Sequence, residues 1–295
     1  MDQQKQTKDF FKGHALDWQK KASDEVYSVI NDRHRAVHRT LSRYSNDSYL
    51  LDVGCGTGQL AIESTLNGYR ALGIDFAEEM ISQAKINAEN MQSGAEFETE
   101  SVFDFVPKEQ YNVISAMGFI EYISLDQLEE FLIFCNRNLT ENGSISIGSR
   151  NRLFNLTTFN EYTELEKQLG SINELFEESS ICISSKSTDE FLNLMRGFIG
   201  LSSLVQNESH PLTGIEVGTR YQFTPSDLMH RIERHGFTVT NIFPVNYHAF
   251  HPVINDENNL LLGKQIAEMI SVNGQTDFRY IPNASSFVIE AIKSA

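Results

Sequence analysis

The stretch that most constrains this chain is Tyr49-Leu50-Leu51-Asp52-Val53-Gly54-Cys55-Gly56-Thr57-Gly58. Apolar residues flanking an acid read as a buried parallel strand, and the alternating glycines that follow read as a tight turn into a helix. A turn that leaves a strand this sharply calls for positive φ, which glycine adopts without steric cost, and a loop without side chains offers bare backbone to a ligand. A strand, a backbone-lined loop and a helix therefore follow one another here.

Spacing narrows the ligand. A dinucleotide fingerprint places its glycines as G-x-G-x-x-G, and Gln59 stands where the last would fall. A carboxylate at Asp52 faces a diphosphate unfavourably but suits a ligand bearing a sulfonium and an α-ammonium. An NAD-type oxidoreductase is thus disfavoured. The run resembles the first motif of the class I S-adenosylmethionine (SAM) methyltransferases, in particular those acting on small molecules. That resemblance implies an α/β fold, a doubly wound, mostly parallel seven-stranded Rossmann-like sheet. It also implies SAM as cofactor, S-adenosylhomocysteine as product, and contacts from Asp52, Gly54, Cys55, Gly56 and Gly58.

The chain continues in the same alternation. Leu60 to Leu66 extends a helix stopped by Gly68, and Arg70 to Asp75 is the next strand. Ligands of open α/β sheets lie beyond the carboxyl ends of the strands, so Asp75 can accept from vicinal ribose hydroxyls; capping of a helix beginning at Ala77 is the alternative. The first role matches the family's second motif, which places Phe76 and Met80 along the adenosine. After a helix to Met91 and a strand Ala95–Glu100, the resemblance places an adenine-binding turn at Ser101, Val102 and Phe103. Ser101 replaces the family's usual acid there, and Asp104 comes three residues late. The fourth strand, Tyr111–Met117, leads into Gly118-Phe119-Ile120-Glu121-Tyr122, and Met117 and Phe119 are expected beside the cofactor. Tyr122 occupies the position of a histidine common in the family, and the Asn-Pro-Pro-Tyr of nucleic-acid and protein-glutamine amine methyltransferases is absent. Ser124 and Gln127 form a capping box, and Ser144–Ser149 is the fifth strand.

Two segments fall outside this core. Before it, two helices are expected. The second carries Val26, Ile30, Val37 and Leu41 on a buried face and Arg33, Arg35, Arg39 and Arg43 on the other. The first groups Phe10, Phe11, His14, Ala15 and Trp18, which pack as core or, as in the similar family pattern, close over the cofactor. After the fifth strand, residues 151–223 carry helical patches at Glu161–Leu169 and Asp189–Leu194 among Ser-rich stretches. This insertion is placed to cover a substrate. Thr224-Pro225 then starts a helix ending at Gly236. A strand Phe237–Phe243, an amphipathic segment Leu260–Ile270 and a strand Ser286–Ile292 follow. The organisation is a helical lid (1–45), a SAM-binding core (46–150), an inserted cap (151–223) and the rest of the core (224–295).

Composition excludes several classes. No apolar run approaches the ~18 residues of a membrane span, and the N-terminus lacks a secretory apolar region, so a cytoplasmic protein is expected. A net charge of −16, with a modest basic cluster from Arg33 to Arg43, argues against nucleic acid as a partner. Cys55, Cys135 and Cys182 are too scattered for disulfides or structural zinc. His248-Ala-Phe-His251 is half a metal site with no third ligand in register, so no metal is expected.

Methyl transfer from SAM asks the protein for positioning, water exclusion and, for weakly acidic acceptors, a base. His14, Tyr122, His248 and His251 are the candidate catalytic residues. Arg150-Asn151-Arg152, leaving the fifth strand at the ligand end, is the candidate clamp for an anionic acceptor. The expected reaction is methylation of a small polar metabolite, on oxygen in preference to nitrogen. A catalytically silent SAM-binding protein is the further alternative. The oligomeric state is left open.

Overall fold

The computed structural model describes residues 28–206, 220–252, 257–274 and 276–294. Phe10, Phe11, His14, Ala15, Trp18, Ser23 and Val26 lie outside the described residues. The described chain begins with α1 (Ser28–Leu41) and enters the sheet at β1 (Tyr49–Val53), buried along its whole length. Then follow α2 (Gln59–Leu66), β2 (Arg70–Asp75), α3 (Glu78–Asn90), β3 (Glu96–Thr99) and β4 (Tyr111–Ala116). Next come α4 (Leu125–Asn138) and β5 (Leu139–Arg150).

The sheet has seven strands in the order β3-β2-β1-β4-β5-β9-β8, where β8 is Phe237–Tyr247 and β9 is Ala284–Lys293. Only β9 runs against its neighbours, so β8 points the same way as β1 to β5. The order reverses between β1 and β4, which pair with each other in parallel, and it is outside the carboxyl ends of strands at such a reversal that open α/β sheets bind ligands. This is the doubly wound, mostly parallel sheet expected from the sequence, with its closing antiparallel pair.

Boundaries differ where local chemistry is mixed. β5 begins at Leu139, earlier than its apolar run at Ser144, because a register shift against β4 absorbs the polar Glu141-Asn142 and Asn142 takes φ 61°. The capping box at α4 is formed, with Gln127 N–H donating to Ser124 Oγ and the Gln127 side chain accepting from Ser124 N–H.

The insertion folds as α5 (Glu161–Leu169), α6 (Ile172–Ser184), α7 (Thr188–Gly197) and a two-stranded ribbon of β6 (Leu204–Gln206) with β7 (Arg220–Gln222). α6 falls in the Ser-rich stretch. Its inner face is Leu175, Glu178, Ser179 and Cys182, half polar and so without a helical hydrophobic period. Ser180 and Ser184 donate to the carbonyls of Phe176 and Ser180, four residues back, which lets serine occupy a helix interior. Leu175, Cys182, Phe191 and Met195 pack in the same buried cluster as Ile145, Ile147 and Phe287 of the sheet. The insertion thus extends the core. α8 (Pro225–Arg234) follows, its first turn capped by Thr224, and α9 (Glu257–Gly274) precedes β9.

The arginine face of α1 is not a solvated face. Arg33 reaches Glu121 and Ser286, Arg43 pairs with Glu290, and Arg39 lies 5.4 Å from the Phe243 ring centre. These side chains dock α1 across β5, β9 and β8. No helix among the described residues is long and apolar enough to cross a membrane. Cys55, Cys135 and Cys182 are buried free thiols.

Candidate functional site

The glycine loop sits at the carboxyl end of β1, with Gly54, Gly56 and Gly58 at φ 68°, 53° and 85°. The reasons for glycine differ. A Cβ on Gly58 would stand 2.6 Å from the Phe97 ring and 2.9 Å from Ala84 Cβ, so packing of α2 onto β3 and α3 forbids it. A Cβ on Gly56 would meet no protein atom within 4 Å. Open space faces that residue.

Four of the loop's donors are already engaged. Gly54 and Cys55 N–H donate to Ile74 O at 2.9 and 3.1 Å, Gly56 N–H donates to Asp75 Oδ2 at 3.1 Å, and Gly58 N–H donates to Cys55 O at 3.0 Å. A phosphate cradle needs such N–H groups free. The Cys55 side chain turns inward, its sulfur 2.8 Å from where a Cβ on Gly73 would stand. Gln59, in place of a third fingerprint glycine, donates from its side chain to Thr57 Oγ1 at 2.7 Å.

Two acids lie beneath and beside this loop. Asp52 is buried in β1 and accepts from Ser115 Oγ at 2.7 Å; burial pushes its pKa up to about 6, against the Ser115 bond. Asp75, at the end of β2, accepts from Gly56 N–H with one oxygen and from Ala77 N–H at 2.9 Å with the other. Burial likewise pushes it up to about 6, while the two amides oppose the shift. Asp75 therefore joins the glycine turn to the start of α3. Each of its oxygens keeps a lone pair for a further donor.

An aromatic wall borders the loop. A Cβ on Gly54 would lie 3.4 Å from the Phe119 ring, and Phe119 packs edge-on against Phe131 at 5.2 Å and near Phe103 at 6.5 Å. Ser101, Val102 and Phe103 form a tight turn in which Ser101 Oγ accepts from Phe103 N–H at 3.4 Å. Phe76 is half-buried and Met80 buried. Met117 packs against the α1 side of the core, its sulfur 2.9 Å from the Cβ position of Gly148.

The expected acceptor clamp does not converge. Asn151 donates to Ile281 O and Ala284 O at 2.7 and 2.8 Å and accepts from Leu153 N–H, which fixes the exit of β5 onto the C-terminal segment. Arg152 forms a two-pronged ion pair with the fully buried Glu166 of α5, at 2.9 and 2.7 Å, and donates to Ser202 O. Both residues anchor the insertion. Arg150 alone remains at the sheet end, donating through Nε to Glu121 Oε2 at 2.7 Å.

Around Arg150 stand groups that sequence reasoning did not select. Glu121, 2% exposed, also receives Arg33 from α1 at 3.3 Å. Burial lowers the Arg150 pKa, but Glu121 and Tyr122 together more than offset this and hold it above its ordinary value. Burial pushes the Tyr122 phenol up, so at neutral pH it is a donor and not a base. The signal for Glu121 was its place in the loop after β4; nothing local marked Arg33, which arrives from 88 residues away.

The candidate bases are dispersed. His248, past the end of β8, stacks near Phe154 at 4.6 Å, and burial pushes its pKa down to about 4. His251 bonds through Nδ1 to Thr157 O at 2.6 Å and packs edge-on against Phe159. Among the described residues no group of three or more His, Cys, Asp or Glu could hold a metal ion.

Strand order, glycine loop and the acid ending β2 are those of a doubly wound α/β domain with its switch point between β1 and β4. Residues 50–143 match the family model described as "Methyltransferase domain". Over 103 residues the chain is 30% identical to the ubiquinone biosynthesis O-methyltransferase of Rhodopseudomonas palustris and 27% identical to that of Bradyrhizobium diazoefficiens. These matches take in 35% of this chain, and the chain spans 40% of the length of these curated relatives. Similar folds include magnesium protoporphyrin IX methyltransferase from Synechocystis PCC 6803 with bound S-adenosylhomocysteine. Its TM-score is 0.59 at 13% identity, covering 99% of this chain and 100% of that one. The Burkholderia thailandensis 1,6-didemethyltoxoflavin-N1-methyltransferase also has a TM-score of 0.59, at 12% identity, covering 98% of this chain and 88% of that one.

Proposed function

We propose that the chain binds SAM in the crevice beyond β1, β2 and β4 and transfers its methyl group to an oxygen of a small polar acceptor. The observation that carries this reading is the state of the glycine loop. Its N–H groups at Gly54, Cys55, Gly56 and Gly58 are spent inside the protein, while space stands open over Gly56 and buried carboxylates lie at Asp52 and Asp75. With those four amides spent and two carboxylates buried beside them, the site suits a cationic nucleoside with ribose hydroxyls to give better than a diphosphate.

SAM, when bound, supplies an activated methyl carbon for in-line displacement. In this reading Asp75 accepts from the ribose, the Ser101–Phe103 turn and Phe76 border the base, and Phe119 and Met117 border the reacting end. His248, with its pKa near 4, has little driving force as a base, so an acceptor oxygen that arrives ionised fits best. Catalysis then rests on proximity and exclusion of water. The curated relatives' O-methylation supports oxygen as the methylated atom. The acidic surface supports a small molecule over nucleic acid.

The test is ligand-linked stabilisation. S-adenosylhomocysteine at a hundredfold excess over its dissociation constant stabilises by ~2.7 kcal/mol, or roughly 5 °C in melting temperature. NAD is expected to give no shift, and Asp75→Ala to lose the response to S-adenosylhomocysteine. A parent protein that melts identically with and without S-adenosylhomocysteine overturns the proposal.

A further inference from the structure

We infer that the guanidiniums of Arg33 and Arg150, held together by the Glu121 carboxylate at the carboxyl ends of β4 and β5, form the anchoring site for a carboxylate group of the acceptor. This deepens the methyltransferase reading and rests on it. The first observation is charge. A sealed structural ion pair balances its charges, because an uncompensated buried ion is costly. Here two guanidiniums share one carboxylate, with Arg33 Nη2 on Glu121 Oε1 at 3.3 Å and Arg150 Nε on Oε2 at 2.7 Å. One positive charge is left over, in a chain whose net charge is −16. Arg220 of β7, fully buried and hydrogen-bonded to Tyr162, adds its positive field to Arg150 from the insertion side.

The second observation is donor capacity. Each Glu121 oxygen already holds a different guanidinium, and Arg33 uses the same Nη2 on Ser286 Oγ at 3.4 Å. Arg150 also donates to the Tyr122 phenol. A guanidinium has five N–H donors in a planar fork, so both side chains still retain donors beyond these bonds. Neither is sealed from solvent, the side chains being 16% and 22% exposed.

The third observation is placement. Arg33 Nη1 lies 2.9 Å from where a Cβ on Gly118 would stand, so the glycine after β4, at φ +69°, is what admits this guanidinium to the loop bearing Phe119. Arg150 ends β5 opposite Ser286 of β9. The pair therefore stands at the same sheet end as the glycine loop, on the β4–β5 side. A single carboxylate balances the remaining charge and matches the fork geometry.

Calorimetric titration of the parent protein, saturated with S-adenosylhomocysteine, compares benzoate with benzamide, which differ in the anionic group. Charge-assisted hydrogen bonds are worth about 1.5–3 kcal/mol, so benzoate is expected to bind at least about tenfold more tightly. Arg33→Gln and Arg150→Gln are each expected to abolish that preference while leaving S-adenosylhomocysteine affinity within about twofold. Arg33→Gln leaves Arg150 paired with Glu121 and carries the test alone if Arg150→Gln fails to fold. Equal affinity for the two probes in the cofactor-bound parent, or a preference that survives Arg33→Gln, overturns the inference and leaves the cofactor reading standing. Failure of S-adenosylhomocysteine to bind removes both.

Discussion

Glu178 offers a sharp test of how the insertion is tied to the sheet. It projects from α6, is 1% exposed, and accepts from Ser226 N–H at 2.8 Å at the first turn of α8. Burial pushes its pKa from 4.5 to about 7, against the bonds from Ser226 and Thr224. The folded state thus holds the proton more tightly than the unfolded one. The resulting stability is fully present below pH 4.5 and is lost as pH rises through 7. A difference of about 2.5 pKa units corresponds to about 3 kcal/mol. Glu178→Gln keeps one acceptor for Ser226 N–H and removes the titration. The variant's stability relative to the parent should therefore grow by about 3 kcal/mol between pH 4.5 and 7.5. Urea unfolding of both proteins across that range, followed by circular dichroism, measures the difference and cancels carboxylates common to both, such as Asp52 and Asp75. Parallel stability profiles would refute the assignment of a strained, buried carboxylate at this joint.

Other perturbations have equally definite outcomes. Gly58→Ala forces a Cβ at φ 85° onto the Phe97 ring and should cost about 2 kcal/mol or more in unfolding experiments, with weaker S-adenosylhomocysteine binding. Arg152→Met strands the fully buried Glu166 carboxylate and should cost about 3–5 kcal/mol, whereas Arg152→Met with Glu166→Gln should recover much of that loss in thermal melts. His248→Gln should leave the pH profile of methyl transfer unchanged between pH 6 and 9, because a group with a pKa near 4 does not titrate there.

The placement of the glycine loop and Asp75 was legible because it is set locally. Gly54 to Gly58 and Asp75 lie at strand ends, and strand, loop and helix follow one another in sequence, so the alternating pattern set them at one end of the sheet. The surroundings of Arg150, Asn151 and Arg152 were not. Arg150, Asn151 and Arg152 are consecutive, yet strand geometry and the turn at Leu153 send them to Glu121, Ile281 and Glu166 respectively. Arg33 read only as one arginine on the face of α1 opposite its apolar residues, because the carboxylate that claims it is remote in sequence. α6 was missed because a buried face containing Glu178 and Ser179 imitates a loop composition.

The antiparallel course of β9 has a bearing on how the protein comes into being. Because β9 runs against β5, its first residues and not its last lie at the ligand end, which is how Ser286 meets Arg33 across a separation of 253 residues. The glycine loop, Asp75 and Phe119 are all made early, and the partners named for them, from Ile74 to Phe131, follow within the first half of the chain. The Arg33–Glu121–Arg150 group is flanked on its far side only when nearly the whole chain has emerged. On a ribosome that releases about 5–20 residues each second, the glycine loop and Asp75 therefore emerge many seconds ahead of the strand that flanks the Arg33–Glu121–Arg150 group.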